Sequence, residues 1–175
     1  MRALVFLAIA GCGFSSQSNP NHDAAVADPD APMQQIDAAV DAAPVNCPAT
    51  YDLKFGGHSY RKTTATADYS TIQTECHDGV GYVVDVDSGD EDSWVKSQFG
   101  SNGYVWIGLH YDTPMGYHWD NHDKLDTFNN FSNNTVPSAP TDSCVDKNLS
   151  PSTGGVWAPF ACSQAHQSLC ECDGP

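Results

Sequence analysis

Seven cysteines in 175 residues, behind an N-terminus that reads as an export signal, constrain what this chain can fold into more than any other feature. The opening MRALVFLAIAGCGFSS has a positive charge at Arg2 and an apolar run from Ala3 to Ala10. That run is too short to span a bilayer and has the length of a secretory signal core. Export delivers thiols to an oxidising compartment, where they pair. An odd count leaves one cysteine over, and spacing alone does not choose among the ways six others can pair.

Ile9-Ala10-Gly11-Cys12 resembles a bacterial lipobox, in which the cysteine after a small residue is lipidated and becomes the new N-terminus. The alternative is ordinary cleavage after Ala8-Ile9-Ala10, an A-x-A pattern. Lipidation of Cys12 removes the odd cysteine and leaves an even set of six. The expected organisation is therefore a signal peptide over 1–11, a lipidated Cys12 with its tether over 12–46, and a domain over 47–175. In enteric bacteria a residue other than Asp after the lipidated cysteine permits outer-membrane sorting, and here that residue is Gly13. The expected location is outside the cytoplasm, lipid-anchored to a bacterial membrane, at the outer membrane or cell surface.

From Gly13 to Asn46 there are five Asp, no Lys or Arg, and Phe14 as the single aromatic. Such a segment buries too little apolar surface to offset its ordering entropy and reads as a disordered tether. A flexible chain of this length spans about 30 Å end to end. The remaining residues, 47–175, carry 17 acidic against six basic side chains, a net of -11. This balance argues against nucleic acid or anionic lipid as a partner, so membrane contact is expected through the anchor only.

Within the domain, Tyr69, Ile72 and Cys76 fall on one face of a helix that Gly79 would stop. Tyr82 to Val86 reads as a short strand. Asp87-Ser88 followed by Asp90, Glu91 and Asp92 reads as a capped, acid-rich helix start, and Trp94, Val95, Gln98 and Phe99 form its apolar stripe. YVWIGLHYD and Gly116 to Trp119 read as strands. Asp120 to Asp142 is a long polar loop, and Val156-Trp157 and Ser168 to Cys170 are closing strands.

The DVDSGDED run starts like an EF-hand loop, but the twelfth position counted from Asp85 is Lys96 where that loop needs a bidentate Glu. Helix capping explains it better. No nucleophile elbow, His-Glu-x-x-His motif, phosphate loop or acid pair is present, so no catalytic residue and no cofactor are assigned. His110, His118 and His122 with Asp120 and Asp123 could gather around zinc, yet scattered loop histidines usually do not, and no metal ligand is assigned.

The order of features is more specific than any one of them. A helix ending in Cys76, GYVVDVDS, a second helix, the tetrapeptide Trp106-Ile107-Gly108-Leu109, a Gly-x-x-Trp strand, a long loop, Cys144, Trp157, Cys162 and Cys170-Glu171 follow in sequence. Together they resemble the C-type lectin-like domain over essentially all of residues 47–175. The resemblance implies an α+β fold of two helices and two small antiparallel sheets with a long loop. It implies Cys76 paired with Cys170 and Cys144 with Cys162, which leaves Cys47 and Cys172 as the remaining pair. It also makes core packing the expected role of Trp94, Trp106, Trp119 and Trp157 rather than sugar stacking.

Sugar-binding members of that family hold calcium with a Glu-Pro-Asn or Gln-Pro-Asp tripeptide in the long loop, an acidic residue before the third-from-last cysteine, and an Asn-Asp pair after the late tryptophan. Here the corresponding residues are Val136-Pro137-Ser138 or Ala139-Pro140-Thr141, then Asp142, then Ala158-Pro159. One carboxylate does not make a site for an ion that takes six to eight oxygens. The expectation is a binding module that recognises a glycan or a cell-surface protein without that calcium site, with Asn130, Asn133, Asn134 and Asp142 as candidate ligand-binding residues. A structural or assembly role in the cell envelope ranks second and a metal-dependent enzyme third.

Overall fold

The computed structural model describes residues 46–174 apart from 78, 122, 126 and 139–142. The signal, Cys12 and nearly all of the tether lie outside the described residues, as do His122 and Asp142. The described chain forms two helices and two four-stranded sheets, antiparallel at every pairing, as the resemblance implied.

The first sheet brings the two ends of the domain together. Strands β1 (Leu53–Phe55) and β2 (His58–Lys62) form a hairpin around Gly56-Gly57, whose positive φ values of 60° and 100° suit the tight turn glycine permits. Strand β2 pairs with the last strand, β8 (Leu169–Cys172), so that Tyr60 faces Glu171, and β8 pairs in turn with β3 (Tyr82–Val83). The strand expected over Tyr82 to Val86 is thus shorter. Beyond Val83 the chain leaves the ladder: Val84 N–H still donates to the Leu169 carbonyl, but Asp85 N–H donates to the Glu171 side chain instead.

The second sheet has the order β5-β4-β6-β7, with β4 (Tyr104–Asp112) central beside β6 (Cys144–Asn148), and β5 (Gly116–His118) and β7 (Trp157–Phe160) at the edges. It abuts the first sheet where Gly108 N–H donates to the Val84 carbonyl at 2.8 Å. A Cβ at Gly108 would stand 2.3 Å from the Val83 carbonyl oxygen, so the glycine of the WIGL tetrapeptide is required by backbone contact between the sheets.

Helix α1 (Tyr69–His77) buries Tyr69, Ile72 and Cys76, the face its spacing predicts. Helix α2 (Gly89–Phe99) starts at Ser88, whose hydroxyl accepts from Glu91 N–H. Its inward face differs from the sequence reading: alongside Val95 the buried residues are Glu91 and Asp92, while Trp94 and Phe99 are only half-buried. The core is continuous through Val84, Val86, Ile107, Leu109, Trp119, Val145, Trp157 and Leu169. A second cluster under α1 gathers Trp106, Ile72 and four cysteines. Disulfides join Cys76 to Cys170, Cys144 to Cys162 and Cys47 to Cys172, with Cα separations of 5.1, 5.0 and 6.0 Å.

Candidate functional site

The long loop between β5 and β6 is tied down around Trp157. Trp119, Phe128 and Phe131 each present an edge to the Trp157 ring, at 5.8, 5.6 and 5.8 Å between centroids. Trp157 N–H donates to the carbonyl of Asn130, and Phe131 bridges to Trp157 in parallel. The loop therefore begins with an apolar seat, and Trp157 is 1 % exposed. This tryptophan is scaffold, and sugar cannot stack on it.

A buried polar network lies next to that seat. The Trp157 indole donates to Asp92 Oδ1 at 2.7 Å, and Lys147 Nζ meets Asp92 Oδ2 at 2.6 Å. Asn130 Nδ2 donates to Asp92 Oδ2 and lies near the Gly155 carbonyl, which also accepts from Lys147. Lys147 is fully buried, and burial pushes its ammonium pKa down while Asp92 opposes the shift. Asn130 is thus engaged inside the protein. Asn133 and Asn134 sit in a short 3-10 turn, exposed, with φ of 58° and 51°, the left-handed conformation that asparagine tolerates. Of the candidate asparagines these two face solvent, whereas the Asn130 amide is turned to Asp92 and Gly155.

On β7, Ala158 stands opposite Asp146 and Pro159 opposite Val145. Neither contributes a side-chain oxygen. Asp120 is committed elsewhere: its carboxylate takes His77 Nε2, Gln73 Nε2 and the Val83 N–H, so it pins the root of the loop to α1 and β3.

An acidic cleft, of about 490 Å³, opens between β8, the approach to α2 and the start of the long loop, with Asp85, Asp87, Asp123, Glu171 and Asp173 in its walls. Asp85 is 6 % exposed and its Oδ1 has no hydrogen-bond partner. Burial first, then Glu171 and the neighbouring aspartates, push its pKa up to about 10; burial and Glu91 push Glu171 to about 8. His58 Nδ1 lies 2.9 Å from both Glu171 and Asp173. His58, Glu171 and Asp173 each turn one possible ligand atom toward a common point, and the unpaired Asp85 stands in the wall of the same cleft. The sequence reading treated DVDSGDED as helix capping alone. The capping is real at Ser88, but Asp85 points into the fold because the chain has left the sheet there.

Another cleft, of about 730 Å³, lies between the hairpin of β1 and β2 and helix α1, with Arg61, Lys62 and Glu75 on its walls. Arg61 is bound to Glu75 by its guanidinium, and Lys62 turns its ammonium to the Gln98 carbonyl.

The family model for the lectin C-type domain matches residues 65–172. The chain belongs to the C-type lectin domain family. This is a family of non-enzymatic binding modules. Among solved structures, a mouse scavenger receptor C-type lectin carbohydrate-recognition domain is 20% identical with a TM-score of 0.61, covering 74% of this chain and 98% of that one. A calcium-independent type II antifreeze protein is 20% identical at a TM-score of 0.60, covering 76% and 98%. The cow CD23 carbohydrate-recognition domain, solved in the presence of a GlcNAc2Man3 oligosaccharide, is 22% identical at 0.58, covering 72% and 95%. At these identities the likeness is one of fold. Comparison with curated protein sequences returned no significant match. Among the described residues of this C-type lectin domain, no helix is long and apolar enough to cross a membrane.

Proposed function

We propose that this C-type lectin domain is the binding end of an exported lipoprotein, spanning 47–175 and carried on a tether over 12–46, and that it recognises a glycan or a cell-surface protein without a calcium ion in its long loop. The observation that carries this reading is at β7. The two residues after the caged Trp157 are Ala158 and Pro159, and the amide of Asn130, whose carbonyl accepts from Trp157 N–H, is spent on Asp92 and Gly155. Calcium needs several oxygens at one point, and among the described residues the strand after Trp157 offers no side-chain oxygen at Ala158 or Pro159. The calcium-independent type II antifreeze protein has the same fold, and the C-type lectin domain of a murine dendritic cell inhibitory receptor was solved with an N-glycan, so the fold is compatible with both halves of the proposal in other proteins.

Glycan-array binding and cell-surface pull-down, each run with and without EDTA, test the module. Binding should be retained in the chelator, and glycan binding abolished by chelation would refute the calcium-free reading. The anchor is tested separately. Cys12→Ser should release the protein from membranes or block its processing; a variant that fractionates with membranes as tightly as wild type, with a mature wild-type mass lacking lipid, would refute the tether.

A further inference from the structure

Strands β4 and β5 are joined by a tight turn, and their register sets His110 opposite His118 and Asp112 opposite Gly116. The two imidazole rings lie 4.1 Å apart between centroids. Each ring is held by the same device: His110 Nδ1 meets the Gly108 carbonyl at 3.2 Å, and His118 Nδ1 meets the Gly116 carbonyl at 3.0 Å. A carbonyl only accepts, so both Nδ1 atoms carry the hydrogen. In the neutral rings the lone pair is then on Nε2. Both Nε2 atoms turn to the same carboxylate oxygen, Asp112 Oδ2, at 3.7 and 3.5 Å.

Three electron-pair donors converging without a hydrogen between them repel one another unless a cation joins them. One donor atom from each residue lies within 4.8 Å of the others. Donors about 2.0–2.1 Å from a tetrahedral zinc sit about 3.3 Å apart, so the separations to Asp112 need to close by only a few tenths of an ångström. A backbone carbonyl on the far nitrogen of each histidine is also the arrangement that fixes a metal-binding tautomer. We propose that His110, His118 and Asp112 form a binding site for a borderline divalent transition-metal ion, zinc being its simplest representative. His118 is 3 % exposed and closes the inner side, whereas Asp112 is exposed. His110 and Asp112 also border a cleft of about 390 Å³ that reaches Tyr69 and Gln73. Three protein ligands leave a coordination position open toward it, for water or for a nitrogen or oxygen of a bound molecule. The sequence offers these two histidines together with His122, Asp120 and Asp123, of which His122 lies outside the described residues. The structure commits Asp120 to His77 and supplies Asp112 from the same hairpin instead.

The test is calorimetric titration of the full chain with zinc chloride, paired with nuclear magnetic resonance of the histidine ring nitrogens. One zinc per chain is expected, with the Nε2 resonances of His110 and His118 moving on binding and a large excess of calcium failing to displace the ion. Asp112→Asn, at an exposed position that should leave the fold intact by circular dichroism, should weaken binding about tenfold or more, and His110→Gln should abolish it. His58→Gln, in the acidic cleft, should leave it unchanged. No zinc uptake at micromolar free zinc, with the two rings titrating only as imidazolium partners of Asp112, would overturn the proposal. So would uptake that survives Asp112→Asn and His110→Gln but is lost in His58→Gln.

Discussion

Asp92 joins three groups that reach it from distant parts of the chain: the Trp157 indole, the Lys147 ammonium and the Asn130 amide. A surface ion pair contributes little, but Lys147 has no solvent to fall back on. Removing one member of a buried pair leaves the other charge uncompensated, at a cost of about 3–5 kcal/mol. Asp92→Ala should therefore destabilise the domain by about that amount in urea melts. The double variant Asp92→Ala with Lys147→Met should recover most of the loss, because it removes the stranded charge. If the double variant is as unstable as the single one, the damage comes from the lost indole and amide bonds. The charge pattern of the helix start does not reveal any of this. Asp90, Glu91 and Asp92 all read as complements of the helix dipole, and what separates them is whether a partner 31 to 65 residues away meets them, as Tyr60 meets Glu91 and Trp157 meets Asp92.

At the scale of elements, helix α2 starts where Ser88 caps it, and the contribution can be isolated. Ser88→Ala should cost about 1 kcal/mol, the usual loss of a capping hydroxyl, with no effect on zinc binding at the far hairpin. A thermal melt showing no change would mean that the acidic first turn and Glu91 suffice. Both helices were legible because their apolar or capping residues repeat at helical spacing, and YVWIGLHYD was legible throughout because β-branched and aromatic residues dominate it. The first hairpin was not read as strands, although Gly56-Gly57 between Phe55 and His58 is a turn signal of the strongest kind. Its strands are short and polar, so periodicity gave nothing, and the turn itself was the clue. The convergence of His110 and His118 was also within reach. Both strands were expected, and folding them about the turn between Asp112 and Gly116 places the two histidines across from each other. By contrast, the unpaired Asp85 had no local signature. Its fate depends on Glu171 taking its backbone N–H from the opposite end of the chain.

For the domain as a whole, residues 47–175 carry a net charge of -11, and the acidic cleft is a place where part of it opposes folding. Asp85 and Glu171 have pKa values raised to about 10 and about 8 in the folded state. A raised carboxylate keeps its proton in the fold at a pH where the unfolded chain, titrating near 4, has already lost it. The folded state then binds more protons than the unfolded one, so stability falls as pH rises. The contribution is complete below the ordinary carboxylate range and is lost progressively up to about pH 8 for Glu171 and about pH 10 for Asp85. The melting temperature should accordingly decline between weakly acidic and alkaline buffer. Asp85→Asn, which mimics the protonated acid, should match wild type in acid and exceed it increasingly as the buffer becomes alkaline. Calcium, supplying the positive charge that the proton no longer does, should raise the wild-type melting temperature in alkaline buffer more than in acid, and should do so less in Asp85→Asn. Parallel curves for the two proteins across the whole range would show that Asp85 is not the group whose titration limits stability.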